Sequence, residues 1–484
     1  MEKWTHATAE ELTAALRSGE VSSVELTEDA IGRIEREDGA LNAICVPDFE
    51  RARDAAREAD RARARGEERP LLGIPVTVKE SYNVAGLPTS WGMPQFRDHV
   101  PAEDALPVAR VRAAGAVVLG KTNVPLGLQD IQTFNEIHGT TTNPWDRTRT
   151  CGGSSGGSAV ALAAGFGALS LGTDLAGSLR TPAHFCGVYA HKPTLHLVPT
   201  RGMVPPPAPA LPADIDLAVA GQMARSARDL SLLLDVMAGP DPLTGGLAHT
   251  LRLPAARHDR LRDFRVLVLD EHPFIPTGAD VRAGLARVAD ALTAGGARVE
   301  RHSPLLPDLA DAAELYTLLL FSGRTAHFPT GLHSELAARA AGLSEDDHSL
   351  DAARLRGMTL SHRDWLAADH RRELHRHGWR EFFAEFDAVV APITPTPAFP
   401  HDHDPDLMRR RITVDGTDHP YFDQLVWAGL ATMPGLPATA VPTGPSAGGL
   451  PVGVQLIGPM YEDRTPLRLA ELLEERLGGF RAPH

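Results

Sequence analysis

Cys151-Gly152-Gly153-Ser154-Ser155-Gly156-Gly157-Ser158 opens a run that reaches Thr173 without one charged residue. Such a run invites a membrane-spanning reading, but it is built of Gly, Ser and Ala, which gain little on transfer into lipid. It reads instead as the buried centre of an α/β fold. Working outward, Leu72-Gly73-Ile74-Pro75-Val76-Thr77-Val78-Lys79 is a β-branched run. Gly115-Ala116-Val117-Val118-Leu119-Gly120 is a second short buried strand after a helix, which makes the pattern βαβ-like. Phe264 to Asp270 predicts another strand, followed by a helical stretch from Asp280 to Leu292. Up to about residue 65 the chain reads as helices. Thr8-Ala9-Glu10-Glu11 and Ser22-Ser23-Val24-Glu25 both have capping-box spacing ahead of apolar residues at helical period. Leu305 to Phe386 reads as largely helical with polar Arg and His faces, and Met203 to Ala213, with Pro205-Pro206-Pro207, as an extended segment. No fixed-period repeat or long flexible linker divides the chain, so a single large domain over residues 1–484 is expected.

The 484 residues are 43% hydrophobic, 23% charged and 5% aromatic, an ordinary globular balance with ample material for a core. Lysine and arginine number 48 against 62 acidic residues, a formal charge of −14. With no basic block to release counterions from a phosphate backbone, no nucleic-acid partner is expected. Met1-Glu2-Lys3-Trp4-Thr5-His6 has no apolar signal region, and no Leu, Ile or Phe run reaches the roughly 20 residues that span a bilayer. A cytoplasmic protein without membrane association is the expectation. Cys45, Cys151 and Cys186 lie far apart without C-x-x-C spacing, so neither a disulfide framework nor a zinc site is encoded. Among the cations only Lys3, Lys79, Lys121 and Lys192 are lysine. Arginine keeps its proton in proteins whereas a desolvated lysine can lose it, so a lysine retained in an apolar segment is a candidate acid or base. Codon bias toward arginine explains the scarcity of lysine but not its placement.

Three short motifs have bland alternatives. Gly115 to Thr122 fits the phosphate-loop expression, yet Ala-Val-Val-Leu prefers extended strand to the curl that converges backbone N–H groups. His401-Asp402-His403-Asp404 offers metal-binding side chains in a Pro-flanked acidic loop without helical spacing, and no metal is expected. Gly152-Gly153-Ser154-Ser155-Gly156 fits the nucleophile elbow of Ser-His-Asp esterases, but that elbow needs a leading strand, and Asn143 to Thr150 reads as loop.

A larger constellation accounts for more of the chain. The Gly-Ser run at 151–158 is followed by Gly172-Thr173-Asp174-Leu175-Ala176-Gly177-Ser178-Leu179-Arg180-Thr181-Pro182-Ala183, then by Cys186-Gly187 and Lys192-Pro193-Thr194. Upstream stand Gly73 to Lys79 and Lys121-Thr122-Asn123. Downstream come Ala391-Pro392-Ile393-Thr394-Pro395, Gly435-Leu436-Pro437-Ala438 and Gly449 to Gly458. In this order the pieces resemble the amidase signature family, and free-standing bacterial amidases in particular. The resemblance implies a central mixed β-sheet flanked by helices, a signature core over about 70–200, and hydrolysis or transfer of amides by a Ser-cisSer-Lys triad without cofactor or metal. Position by position, it makes Ser178 the nucleophile, Ser154 the bridging serine after a cis peptide bond and Lys79 the terminal base. The backbone of Leu175, Ala176 and Gly177 becomes the oxyanion hole, with Thr173, Asp174 and Arg180 in support, the last two as a charged pair bracing the loop. Two departures stand out: Lys79-Glu80 where the family usually has Lys-Asp, and Ala176-Gly177-Ser178 where it usually has Gly-Gly-Ser. Alanine disfavours positive φ, so an altered oxyanion hole is expected there.

The chemistry explains these residue types. Serine is a weak nucleophile and needs a base within hydrogen-bond reach. His184 and His191, the histidines nearest the Gly-Ser clusters, lie beyond the nucleophile and read as structural. A lysine at its usual pKa of about 10.4 is neutral in roughly one molecule in a thousand near pH 7.4, so neutrality costs about 4 kcal/mol. From sequence, the apolar run that holds Val76 and Val78 makes desolvation of Lys79 the expectation. The function expected is hydrolysis of carboxamides, aryl amides or carbamates through an acyl-enzyme. The alternatives are a glutaminase subunit of a tRNA-dependent amidotransferase, a Ser-His-Asp esterase using Ser154, and a non-catalytic scaffold. The substrate pocket is assigned to Leu128, Gln129, Ile131, Tyr421, Phe422 and Trp427, and a homodimer is left open.

Overall fold

A computed structural model describes residues 2–211, 214–325 and 329–483. The eleven strands of its main sheet are β1 (Ile44–Pro47), β2 (Pro75–Lys79), β3 (Val117–Thr122), β4 (Leu169–Asp174), β5 (Tyr189–Lys192), β6 (Val219–Ala224), β7 (Arg265–Val268), β8 (Arg298–Glu300), β9 (Ala388–Pro392), β10 (Ala438–Pro445) and β11 (Pro451–Ile457). Their spatial order is β1-β3-β2-β4-β6-β5-β10-β11-β9-β7-β8. The sheet is mixed: β3, β2 and β4 run parallel, as do β9, β7 and β8, while the strands between them pair antiparallel.

Alternation along β2 decides where its side chains go. Val76 and Val78 enter a core with Leu169 and Leu171 of β4, covered by the helices Ala227–Met237, Ala279–Ala294 and Arg464–Leu477. Each of these four side chains is fully buried, about 1.5–3 kcal/mol apiece. Thr77 and Lys79 face the other side, where Thr77 Oγ1 donates to Ser170 Oγ at 2.8 Å. The helices Gly156–Ala163 and Arg180–Cys186 cover that side with a second apolar cluster. The uncharged run at 151–173 is thus a turn, a helix and the strand β4, buried but for Ala164, which is half-buried.

From Val117 to Thr122 the phosphate-loop expression is the strand β3, extended and buried. Capping boxes are formed at Thr8 and Ser22. The stretch from 305 to 386 carries the helices Leu309–Arg324, Thr330–Ala341, Leu350–Met358 and His362–Glu385. Residues 326–328 within it, and Pro212 and Ala213 of the proline-rich segment, lie outside the described residues. Among the described residues no helix is long and apolar enough to cross a membrane.

Candidate active site

Because β2 and β4 are parallel neighbours in register, Val78 opposite Leu171, their carboxyl ends bring Lys79 and Thr173 together. Lys79 is fully buried. Its Nζ donates to Ser154 Oγ at 2.7 Å and to Thr173 Oγ1 at 2.6 Å. Burial lowers the Lys79 pKa to about 7, against the opposing pull of the Asp174 and Glu80 charges. Glu80 itself points into the 88–91 loop, where it accepts hydrogen bonds from the Ser90 hydroxyl and the Trp91 N–H. Ser154 follows a cis Gly153–Ser154 peptide. A Cβ on Gly153 would lie 2.7 Å from the Asp130 and Gln132 carbonyls, so only glycine lets that backbone approach so closely. Ser155 stitches the serine-bearing turns together: its N–H donates to the Ser178 carbonyl at 3.1 Å, and its Oγ donates to the Thr173 carbonyl at 3.3 Å.

The turn from Leu175 to Leu179 is held peptide by peptide. Tyr316 OH donates to the Leu175 carbonyl at 3.3 Å. The Gly177 N–H donates to Asp174 Oδ1 at 2.8 Å, and the Leu179 N–H to Asp174 Oδ2 at 3.1 Å. The Gly177 carbonyl accepts from the Thr181 N–H at 2.7 Å. In a trans peptide the C=O and the following N–H point to opposite sides. Fixing the carbonyls of Leu175 and Gly177 therefore directs the N–H groups of Ala176 and Ser178 away from those anchors. Those two and the Leu175 N–H make no hydrogen bond among the described residues. The expectation for Gly177 needs correction, since its N–H is engaged by Asp174. Positive φ falls at Gly177, +88°, and not at Ala176, so the alanine sits in the turn without strain.

Asp174 and Arg180 form a fully buried bidentate pair, with Nη2–Oδ1 at 2.9 Å and Nε–Oδ2 at 3.0 Å. Burial pushes the Asp174 pKa up, but the Arg180 charge outweighs it and holds the carboxyl at about 2. Arg180 also donates to Gln455 Oε1 at 2.7 Å and Thr432 Oγ1 at 2.8 Å, tying the turn to the far half of the sheet. The other buried lysines face different partners. Lys121 donates to the Pro88 carbonyl and to Thr89 Oγ1, and Lys192 to the Pro193 carbonyl. Lys79 thus differs from both in meeting two hydroxyls. His184 is fixed between main-chain carbonyls of Gly453 and Thr396, with burial lowering its pKa to about 4, and His191 is fixed by Thr439 and Asp463.

Of the expected pocket residues, Ile131, Tyr421 and Phe422 share an apolar cluster with Tyr316 and Phe321, and Leu175 and Ala176 pack against it. Leu128 has φ +60°, and the Gln129 carbonyl accepts from Arg324. Trp427 is a correction: it is fully buried in the separate cluster beneath β7 and β9, edge-on to His272 at 5.2 Å. Asn143 to Thr150 leads to Ser154 as loop with isolated bridges, not as the strand an esterase elbow requires. In the His401–Asp404 loop, His403 stacks on Phe134 at 4.0 Å, and no cluster of three metal-ligating side chains occurs among the described residues. Sequence reasoning missed Tyr316 and Arg324, because the helical stretch that carries them has no motif.

The family model described as Amidase matches residues 25–467. A glutamyl-tRNA(Gln) amidotransferase subunit of Roseiflexus sp. (strain RS-1) is 34% identical, covering 94% of this chain and 93% of its own. Indoleacetamide hydrolase of Bradyrhizobium diazoefficiens is 33% identical, covering 97% and 86%. A solved structure of a vestigial protein complex, described as revealing the evolutionary origins of an s-triazine catabolic enzyme, superimposes with a TM-score of 0.82 at 31% identity, covering 98% of this chain and 99% of that one.

Proposed function

Because the chain belongs to the amidase family and is an amidase acting on C–N bonds, we propose that Ser178 is its nucleophile, Ser154 its proton bridge and Lys79 its base. The observation that carries this reading is the placement of Lys79 Nζ between the Ser154 and Thr173 hydroxyls in a site dry enough to lower its pKa to about 7. At neutral pH a large share of such lysines is unprotonated. Ser178 Oγ attacks the amide carbon while its proton passes to Ser154, and the Ser154 proton passes to Lys79. Thr173 keeps the amine aimed during the exchange.

The tetrahedral oxyanion is met by the N–H groups of Ala176 and Ser178, with Leu175 beside them, all oriented before reaction. On collapse the C–N bond breaks. Lys79 returns its proton through Ser154 to the departing nitrogen, which would otherwise leave as a poor amide anion. Water then attacks the ester on Ser178, giving up a proton along the same path, and the acid is released. Asp174 and Arg180 hold the turn and take no part in proton transfer.

The substrate is a small-molecule amide. The helix from Leu309, with Phe321, together with Ile131, Tyr421 and Phe422, supports an apolar wall beside the turn. The likeness to a glutamyl-tRNA(Gln) amidotransferase component supports a second reading, in which ammonia released from glutamine passes to a partner. Purified protein offered glutamine and a panel of aryl and alkyl amides separates the two. The stand-alone amidase turns over the panel without any partner, whereas hydrolysis confined to glutamine favours the amidotransferase reading.

A further inference from the structure

Arg324 ends the helix Leu309–Arg324 half-buried, beside the segment that covers Gly153. Among the described residues it makes one hydrogen bond, Nη2 donating to the Gln129 carbonyl at 2.7 Å, and no ion pair. This is unusual company for an arginine here, since neighbouring charges are matched. Asp130 accepts from Arg410 Nη1 at 2.6 Å and from Tyr421 OH at 2.8 Å. The Arg324 guanidinium lies 5.5 Å from the Phe321 ring and 5.7 Å from the Phe422 ring, which meet each other edge-on at 5.8 Å. Both rings belong to the cluster against which Leu175 and Ala176 pack.

Tyr316, Leu320 and Arg324 follow one another at helical spacing and share a face. One end of that face holds the Leu175 carbonyl through Tyr316. The other presents a guanidinium about 12 Å further along the helix, two turns on. Burial draws the Arg324 pKa down, against the opposing pull of the Asp130 carboxylate. Aromatic faces offset only part of the cost of such a cation. Most of its planar donor fork is unspent, and that fork matches a carboxylate in geometry and charge.

We propose that Arg324 forms a carboxylate subsite of the amide-binding pocket, so that the preferred substrates are amides bearing an anionic carboxylate remote from the bond that is cut. This rests on Ser178 as the nucleophile, because the Ser178 turn sets one end of the pocket. The guanidinium sets the other end, and the phenyl rings between them line an apolar spacer. The preference is therefore for a carboxylate at one particular chain length.

The test compares ω-carboxyalkanoyl anilides of increasing length with uncharged alkanoyl anilides of the same length. Turnover is measured with the wild-type protein, and binding by calorimetry with Ser178→Ala. The expected result is a kcat/KM ratio favouring the carboxylate series by about tenfold or more at one length, with the ratio brought to about one by Arg324→Gln. Arg324→Lys, which keeps the charge without the fork, should give an intermediate ratio. Calorimetry should show the same length preference in Ser178→Ala and its loss in the double variant. An unchanged ratio in Arg324→Gln overturns the proposal, because a residue that merely ties the helix to Gln129 lowers both series together. So does a wild-type protein without carboxylate preference at any length. Undiminished turnover in Ser178→Ala would instead remove the nucleophile assignment, while calorimetry still judges the subsite.

Discussion

The Tyr316 hydroxyl holds the Leu175 carbonyl at 3.3 Å, across 141 positions of sequence. Through the planar peptide that contact sets the direction of the Ala176 N–H. Tyr316→Phe removes the hydroxyl and keeps the buried ring. Losing a neutral hydrogen bond, it should lower stability by about 1 kcal/mol and kcat about fivefold while KM stays near wild type. A rise in KM with kcat unchanged would mean that Tyr316 serves ground-state binding alone.

Lys79 must be neutral to accept a proton, and its pKa is lowered by burial to about 7. Protonation therefore removes activity on the acid side. The logarithm of kcat/KM should rise with pH up to a midpoint near 7 and level off above it. Lys79→Arg should be nearly as inactive as Lys79→Ala, since arginine keeps its proton throughout this range. Substantial activity in Lys79→Arg would make the role of the lysine electrostatic.

Ala176 occupies the place of a usual family glycine without positive φ. Ala176→Gly should leave kcat within about twofold and lower stability by at most about 1 kcal/mol through the freer unfolded chain. Parallel measurement of kcat and the urea midpoint checks both. A large change in kcat would show that the methyl shapes the oxyanion site.

Much of the site was legible because its parts are local motifs on neighbouring strands. Lys79 closes one β-branched run, and Thr173 and Asp174 close the uncharged one, so parallel pairing of β2 with β4 was enough to join them. The direction of the Gly177 N–H was not legible, because it depends on which way the Asp174 carboxylate folds back. Trp427 was assigned to the pocket by its position near Tyr421, yet its helix turns it into the core beneath β7 and β9. Tyr316 and Arg324 come from a helical stretch that carries no motif. Their partners lie 141 and 195 positions away, and long-range contacts of this kind leave no trace in local spacing.

At the centre of this mechanism Ser178 carries the acyl group while Ser154 only relays its proton. Treatment with a fluorophosphonate followed by peptide mass spectrometry tests that division most directly. The predicted result is a phosphonyl adduct on Ser178, abolished in Ser178→Ala and slowed by more than about a hundredfold in Lys79→Ala. An adduct on Ser154, or undiminished labelling in Ser178→Ala, would contradict it.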